Sequence, residues 1–115
     1  GTSYIYKVPN SPGHHSATLI KKIKTCSDYH NCAITSATIS PDGSKFILLS
    51  HSKVWLFENF SKDNITDGKM SELNLNHYSQ KESVCFKDND LLLIADEKVK
   101  KTGGYLYQVS LKSFQ

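Results

Sequence analysis

The sequence feature that most constrains the fold of this chain is an apolar pattern that recurs about every fifty residues. Three segments carry it: Tyr4–Val8, Lys53–Phe57 and Tyr105–Val109. In each copy an aliphatic residue, an aromatic residue and another apolar residue follow in fixed order. The aliphatic positions are Ile5, Val54 and Leu106, so successive copies are 49 and 52 residues apart. This spacing indicates a repeated structural unit rather than a single hairpin.

The residues before the second and third copies predict two further strands joined by a tight turn. The matching stretches are Ala37–Ile39, Ser40–Gly43 and Phe46–Leu49, and Val84–Phe86, Lys87–Asp90 and Leu91–Ile94. Their connecting residues belong to the types that tolerate turn conformations. A fourth strand is predicted at Ala17–Lys24 and again at Met70–Asn76, and no window has a good helical pattern. With the strands named a to d, the chain reads c-d, a-b-c-d, a-b-c.

A period near fifty residues made of four antiparallel strands is typical of β-propeller blades. We therefore predict an all-β fold, a β-propeller fragment of about two to two-and-a-half four-stranded antiparallel blades. Residues 1–33 form a partial blade (strands c-d), 34–76 a full blade and 77–115 a partial blade (strands a-b-c). The alternative is a small sandwich or barrel with similar hairpins, which gives no reason for the aromatic residue of strand c to recur.

Ring closure determines which partners are expected. Known propellers use about four to eight blades, more than this chain supplies. We therefore expect either a piece of a longer chain, which is completed by its remaining blades, or a unit that closes a ring by self-association.

A resemblance supports the blade prediction. The motifs SPDGSKFILLSHSKVWLFENF at Ser40–Phe60, HYSQKESVCFKDND at His77–Asp90 and LLLIADEKVKKTGGYLYQVSL at Leu91–Leu111 carry it. With them, the segment from Ile34 to Leu111 resembles blades of a group of uncharacterised, exported β-propeller-like proteins of Bacteroidetes. The resemblance implies a propeller fold and export, as a periplasmic, cell-surface or secreted protein, and it implies no reaction. It covers about two thirds of the chain and leaves the first 30 residues without support.

The composition narrows the classes of partner. The chain has 115 residues, a hydrophobic share of 38% and a net charge of +3, within reach of a folded single domain. Its lysine clusters, Lys21–Lys24 and Lys98–Lys101, are explained by solvation of strand edges and loops, so no nucleic-acid partner is predicted. No apolar run approaches the roughly 20 residues of a membrane span, so none is predicted.

The three cysteines divide into a pair and a single residue. Cys26 and Cys32 flank a five-residue stretch in the connection between strands d and a, and the ends of such a loop can meet the distance of a disulfide. Two free thiols or a metal pair remain alternatives, although the spacing does not fit a common zinc motif. We predict the Cys26–Cys32 disulfide in an oxidising compartment. Cys85 is predicted to pack as a small apolar side chain.

The candidate site follows from blade topology. In a four-stranded antiparallel blade, the d-to-a and b-to-c loops emerge at one end of the sheet. The residues predicted to share that face are His30, Asn31, His51, His77, Tyr78, Gln80, Glu82, Asp96 and Glu97. Histidines, carboxylates and a phenol serve acid–base chemistry or sugar binding, yet loop polarity alone produces a similar set.

These observations favour a non-catalytic binding or scaffold module at the bacterial cell exterior, with a protein or carbohydrate ligand. No catalytic residue, cofactor or metal ligand is assigned. The alternative is a propeller-type hydrolase or lyase with its site at His77, Glu82 and Asp96. A cluster of these groups around one cavity favours the enzyme, and a dispersed arrangement favours the binding module.

Overall fold

Nine strands in three antiparallel sheets make up the computed structural model, which describes residues 1–61, 64 and 67–114. The first sheet pairs β1 (Thr2–Lys7) with β2 (Thr18–Lys24). The second has the order β3 (Ser36–Ile39), β4 (Phe46–Leu49), β5 (Lys53–Glu58) and β6 (Lys69–Asn74), and the third β7 (Lys81–Phe86), β8 (Leu91–Asp96) and β9 (Leu106–Ser110). The all-β prediction is confirmed.

Helical structure in the described residues is limited to two single turns. The helix α1 (Tyr29–Cys32) lies between the first and second sheets, and a 3₁₀ turn (Leu111–Phe114) follows β9. The sequence pattern predicts neither turn, because a single turn is too short to show a helical period.

The turn between β3 and β4 shows why these residues end one strand and begin the next. The Asp42 carboxylate accepts hydrogen bonds from the hydroxyl of Ser40 at 2.7 Å and from the amide of Ser44 at 2.9 Å. These bonds, with those from the Ser44 hydroxyl, lower the pKa of Asp42 to about 2. Gly43 takes a positive φ of 72°, which glycine adopts at little cost. After this turn, β4 begins at Phe46.

The two central strands of the second sheet, β4 and β5, are buried on both sides. One side packs against the third sheet through Ile47, Leu49, Val54, Leu56 and Leu73, and the other packs towards the first sheet through Phe46, Leu48, Trp55 and Phe57. Because neighbouring side chains of a strand point to opposite faces, a strand buried on both sides reads as a continuous apolar run. This explains the four consecutive buried residues of β4.

The second and third sheets meet most closely at their first strands, β3 and β7. The hydroxyl of Thr35 donates to the carbonyl of Lys81 at 2.7 Å, and the hydroxyl of Ser36 accepts from the amide of Val84 at 3.3 Å. The two sheets are therefore held face to face at β3 and β7. The first sheet lies within residues 1–33, the second within 34–76, and the third from residue 77 onward.

The recurring aromatic residue occupies equivalent positions in the second and third sheets. Trp55 on β5 is paired with Leu48, and Tyr107 on β9 is paired with Ile94. Trp55 is fully buried, and Tyr107 packs against the core between the second and third sheets. The repeat predicts that Tyr6, Trp55 and Tyr107 are each largely buried between neighbouring sheets. Tyr6 on β1 is 55% exposed, so this prediction is wrong for Tyr6.

Cys85 also departs from its expected environment. On β7 the side chain of Val84 enters the core, so that of Cys85 points to the outer side of the third sheet, where it is an exposed free thiol. Strand alternation requires this opposite orientation. The expected apolar packing of Cys85 is therefore wrong.

Candidate functional site

Four connecting segments gather at one end of the sheets, which we call the site end: residues 25–35, 50–52, 75–80 and 97–105. The hydroxyl of Ser50 joins the first to the second by donating to the carbonyl of Asn31, and backbone hydrogen bonds join the other three. The amide of Ser79 donates to the carbonyl of His51 at 3.4 Å, and the amide of Leu75 donates to that of Ser52 at 3.0 Å. The amide of Glu97 donates to the carbonyl of Gln80 at 2.8 Å. The site end is thus a connected surface rather than a set of separate loops.

A buried lysine organises the site end. Lys81 begins β7, and its Nζ donates to the carbonyls of His51 and His77 at 3.1 and 2.9 Å and to the hydroxyl of Ser79 at 2.9 Å. The Nδ1 atom of His77 also lies 2.9 Å from this amine. Burial lowers the pKa of Lys81, and the charge of Asp96 opposes that shift. The cation therefore joins the loops at 51 and 77–79 to the first strand of the third sheet.

Asp96, the last residue of β8, is the second buried charge at the site end. Its Oδ1 accepts from the amide of Tyr105 at 2.8 Å, and its Oδ2 accepts from the hydroxyl of Tyr107 at 2.7 Å. Burial alone would raise the pKa of Asp96, but hydrogen bonds from Tyr105, Tyr107 and Ser79 outweigh it and hold the value at about 2. The same hydrogen bond raises the pKa of Tyr107. Asp96 is therefore a satisfied carboxylate beneath the loop surface rather than a side chain exposed on it.

Two glycines allow the segment 97–105 to fold back over Asp96. Gly103 and Gly104 have φ values of 81° and 80°, a region that L side chains rarely adopt. A Cβ atom on Gly103 would lie 2.2 Å from the carbonyl oxygen of Glu97, closer than atoms can approach. This close return brings the Tyr105 amide onto the Asp96 carboxylate.

An aromatic ring joins the two buried charges. The Nζ atom of Lys81 lies 5.5 Å from the ring centroid of Tyr107, and the ring of His77 lies 5.4 Å from it. A cation at this distance from a ring face is attracted by it. With Leu75, Ile94, Val109 and Phe114, these three residues line a small cavity of about 130 Å³.

Two clefts that share Tyr78 open at the site end. The first, which we call the polar cleft, has a volume of about 450 Å³. Its lining is Cys26, Asp28, Asn31, Ser52, Lys53, Asn74, Asn76, His77 and Tyr78. The second, the hairpin cleft, has a volume of about 610 Å³ and is lined by Tyr78, Ser79, Gln80, Glu97, Val99, Lys100, Lys101 and Thr102. Both volumes lie within the range of small-molecule sites.

Tyr78 is held in place between these clefts by His51. The Nδ1 atom of His51 lies 3.3 Å from the hydroxyl of Tyr78, and their rings pack edge to face with centroids 5.7 Å apart. Tyr78 nevertheless remains 50% exposed. It therefore offers a fixed aromatic surface to both clefts.

The segment around α1 forms the far wall of the polar cleft. The Asp28 carboxylate caps the helix by accepting from the amide of His30 at 3.0 Å, and it also accepts from the side-chain amide of Asn31. The latter bond lowers the pKa of Asp28. The Oδ1 atom of Asn31 accepts from the hydroxyl of Ser52 at 2.8 Å, which fastens α1 to the second sheet.

A disulfide closes this segment. Cys26 and Cys32 are bonded, with their Cα atoms 5.7 Å apart, and Cys32 is fully buried in the core beside the first sheet. The bond thus anchors one wall of the polar cleft to the core.

The predicted site residues divide into three groups. Asn31, His77, Tyr78, Gln80 and Glu97 line the two clefts, with His51 beside Tyr78. Asp96 is buried beneath them. His30 is exposed on α1, and Glu82 lies within β7 rather than in a loop; neither lines these clefts.

Lys81 and Tyr107 were missed as members of the site. No local pattern marks Lys81, since its acceptors come from residues up to 30 positions away. The recurring pattern indicates only packing between sheets for Tyr107, and its hydroxyl partner Asp96 lies on the neighbouring strand.

Several comparisons and searches give no assignment. Within residues 1–61, 64 and 67–114, no group of three or more histidine, cysteine or acidic side chains is placed to hold a metal ion. The same residues contain no helix with the length and apolar character needed to cross a bilayer. Comparison of the chain with protein-family models, curated proteins and solved structures finds no significant match.

Proposed function

We propose that this chain is a non-catalytic binding module of the bacterial cell exterior, built from successive blades of the β-propeller type, with its ligand site in the polar cleft. The observation that carries the proposal is a difference between the buried and the exposed polar groups of the site end. The buried charges Lys81 and Asp96 are satisfied by internal hydrogen bonds. The open cleft is lined mostly by uncharged polar side chains and an exposed tyrosine, and its two charged residues, Asp28 and Lys53, are bonded to α1 and to Glu72.

The blade architecture is supported by three shared features. The second and third sheets have the same antiparallel strand order, they meet at their first strands, and their third strands direct Trp55 and Tyr107 towards the preceding sheet. Sheets placed around an axis approach one another most closely at the strand nearest that axis. This arrangement is expected of blades and has no counterpart in a sandwich of two sheets.

A binding role is favoured over catalysis by the state of the ionisable groups. A general base needs a free lone pair within reach of its substrate. Both oxygens of Asp96 accept hydrogen bonds from Tyr105 and Tyr107, and the Lys81 amine is enclosed by loop acceptors. Glu82, the third group expected in an enzyme site, lies in neither cleft. These groups therefore act as structural supports.

A carbohydrate is the ligand class that suits the polar cleft best. Its lining includes three asparagines, and a side-chain amide both donates and accepts hydrogen bonds, as hydroxyl groups require. The Asn31 amide is already bonded to Asp28 and Ser52, which leaves Asn74 and Asn76 for a ligand. The exposed ring of Tyr78 supplies an apolar surface with a polar tip. No hydrogen bond between described residues occupies the Asn76 side chain, and its backbone has a φ of 54°. Asn76 and Tyr78 are thus the side chains most open to a ligand.

The second candidate function is a hydrolase or lyase of the propeller type. It is favoured by His77, which lines both the polar cleft and the small cavity beside Lys81. A ligand in the polar cleft would then lie near an imidazole that contacts a lysine of lowered pKa. Turnover of a bound glycan would identify this alternative.

Export is supported by the Cys26–Cys32 disulfide. Disulfides persist in oxidising compartments such as the periplasm and the cell surface and are rare in the cytosol. The wall that this bond anchors belongs to the polar cleft, so the proposed ligand site depends on the same compartment.

Screening the chain against an immobilised panel of bacterial and plant oligosaccharides tests this function, followed by calorimetry with any glycan retained. Asn76→Gly and Tyr78→Ala should each weaken binding at least about tenfold, which corresponds to about 1.4 kcal/mol. Asn59→Gly is the matched control, because Asn59 has a nearly equal φ of 57° at the opposite end of the second sheet. Retention of no glycan, or equal affinity of all variants, would refute a carbohydrate site in this cleft. Release of a cleaved product would favour the enzyme.

A further inference from the structure

Two sheet faces on opposite sides of the stack have no neighbouring sheet. We call the outer side of the first sheet the front face; there Tyr6 pairs with Leu19 and Tyr4 pairs with Lys22, opposite in orientation to the core residue Ile5. Tyr4, Tyr6 and Leu19 are all exposed.

The outer side of the third sheet is the back face. There Leu106 pairs with Ala95, and Cys85 pairs with Leu93. Leu106 is 69% exposed, and Cys85 is exposed as well. The back face carries aliphatic side chains together with the polar Gln108 and Ser83, whereas the front face carries aromatic rings.

The same two kinds of face are already joined inside the molecule. Tyr6 corresponds to Trp55 and Tyr107, which pack towards the preceding sheet, and Leu106 corresponds to Val54, which packs towards the following sheet. Each internal junction thus sets a ring-bearing face against an aliphatic face. The front and back faces are the same two kinds of surface.

Charge also separates the two faces. The front face carries Lys22, with Lys24 next along the same side of β2. On β7, β8 and β9 the charged residues are the inward Lys81 and Asp96 and the exposed Glu82. Two front faces would repel each other through these lysines, whereas the strands of the back face add no outward lysine.

We propose that the front face of one copy of this chain docks on the back face of a second copy. The contact joins unlike surfaces, so it closes into a ring if the rotation between copies fits and otherwise extends the stack. Three strands of about six residues cover about 300 Å² of sheet, well below the roughly 800 Å² per partner of a standard interface. The association is therefore reversible and depends on concentration. It does not rest on the ligand proposed for the polar cleft.

A complementation experiment tests this arrangement. Leu106→Glu blocks only the back face, and Tyr6→Glu blocks only the front face. Both side chains are exposed, so the fold should be retained and circular dichroism should be unchanged. Met70→Glu is the control, because Met70 is an exposed apolar residue of β6 outside both faces.

Sedimentation velocity over a wide concentration series provides the measurement. The unmodified chain and Met70→Glu should associate, and each face variant alone should remain monomeric. An equimolar mixture of Leu106→Glu and Tyr6→Glu should restore a dimer, because each variant keeps the face that the other has lost. A monomeric unmodified chain, persistent association of either single variant, or no dimer in the mixture would overturn the proposal.

Discussion

The first and second sheets carry nearly the same apolar pattern and have opposite environments. Ile5 and Tyr6 on β1 correspond to Val54 and Trp55 on β5. The aromatic residue of β5 is fully buried, whereas that of β1 is 55% exposed. The second sheet has a neighbour on each side and the first sheet has one. The burial of an aromatic residue in this molecule is therefore determined by the position of its sheet among the three sheets and not by the local sequence.

The comparison extends to the third sheet, where the equivalent aromatic residue is a tyrosine with a polar partner. Trp55 fills an apolar core, while Tyr107 packs against the core and donates its hydroxyl to Asp96. One repeat position thus serves packing in the second sheet, and both packing and the support of a buried carboxylate in the third. The structural position is shared, and the chemistry placed there differs.

The largest effect should separate Trp55 from Tyr6. Trp55→Ala removes a fully buried ring and should lower the free energy of unfolding by about 3 to 5 kcal/mol. Tyr6→Ala should change it by less than about 0.5 kcal/mol, since that ring is exposed. Urea unfolding followed by circular dichroism at low protein concentration measures both. Similar losses for the two variants would show that β1 is as buried as β5.

A smaller effect is expected from reduction of the disulfide between the first and second sheets. Closing a loop of six residues in the unfolded chain stabilises the fold by about 2 kcal/mol in the chain-entropy account. Alkylation followed by mass analysis should give one label before reduction, on Cys85, and three labels after it. Three labels without reductant would contradict the Cys26–Cys32 bond and weaken the case for export.

The smallest effect should be the acid dependence that Asp96 contributes. Folding lowers its pKa from the ordinary 3.8 to about 2, so the unfolded chain binds this proton more readily. The carboxylate therefore contributes its full stabilisation above about pH 4, and this is lost as the pH falls through 2.

Tyr107→Phe provides the matched test of this acid dependence, because it removes one hydrogen bond to the carboxylate and keeps the ring. It should raise the pKa of Asp96 and reduce the loss of stability between about pH 4 and 2. Urea midpoints measured across this pH range provide the comparison. An unchanged pH dependence in Tyr107→Phe would show that this hydroxyl does not hold the carboxylate.

The strands of this fold could be predicted because their signals are local. The Ser40–Lys45 turn and the recurring apolar order place β3, β4 and β5 within one or two residues of their observed bounds. The exposure of Tyr6 could not be predicted in the same way, because it depends on whether another sheet lies beyond β1. That information is not contained in the residues of β1.

The site was predicted in part for the same reason. Strand direction alone brings His51, His77 and Tyr78 to one end. The burial of Lys81 depends on acceptors from two separate loops, and the low pKa of Asp96 depends on a chain reversal at Gly103. Neither contact has a periodic signal, so sequence patterns identified the surface and missed the network beneath it.

Amide hydrogen exchange of the dilute chain tests most directly whether position in the stack determines burial. The amides of β4 and β5, in the sheet covered on both sides, should exchange only through global unfolding. Those of β1 and β2, in the sheet covered on one side, should exchange orders of magnitude faster through local opening. Equal protection of β1 and β5 under conditions where the chain is monomeric would contradict the account.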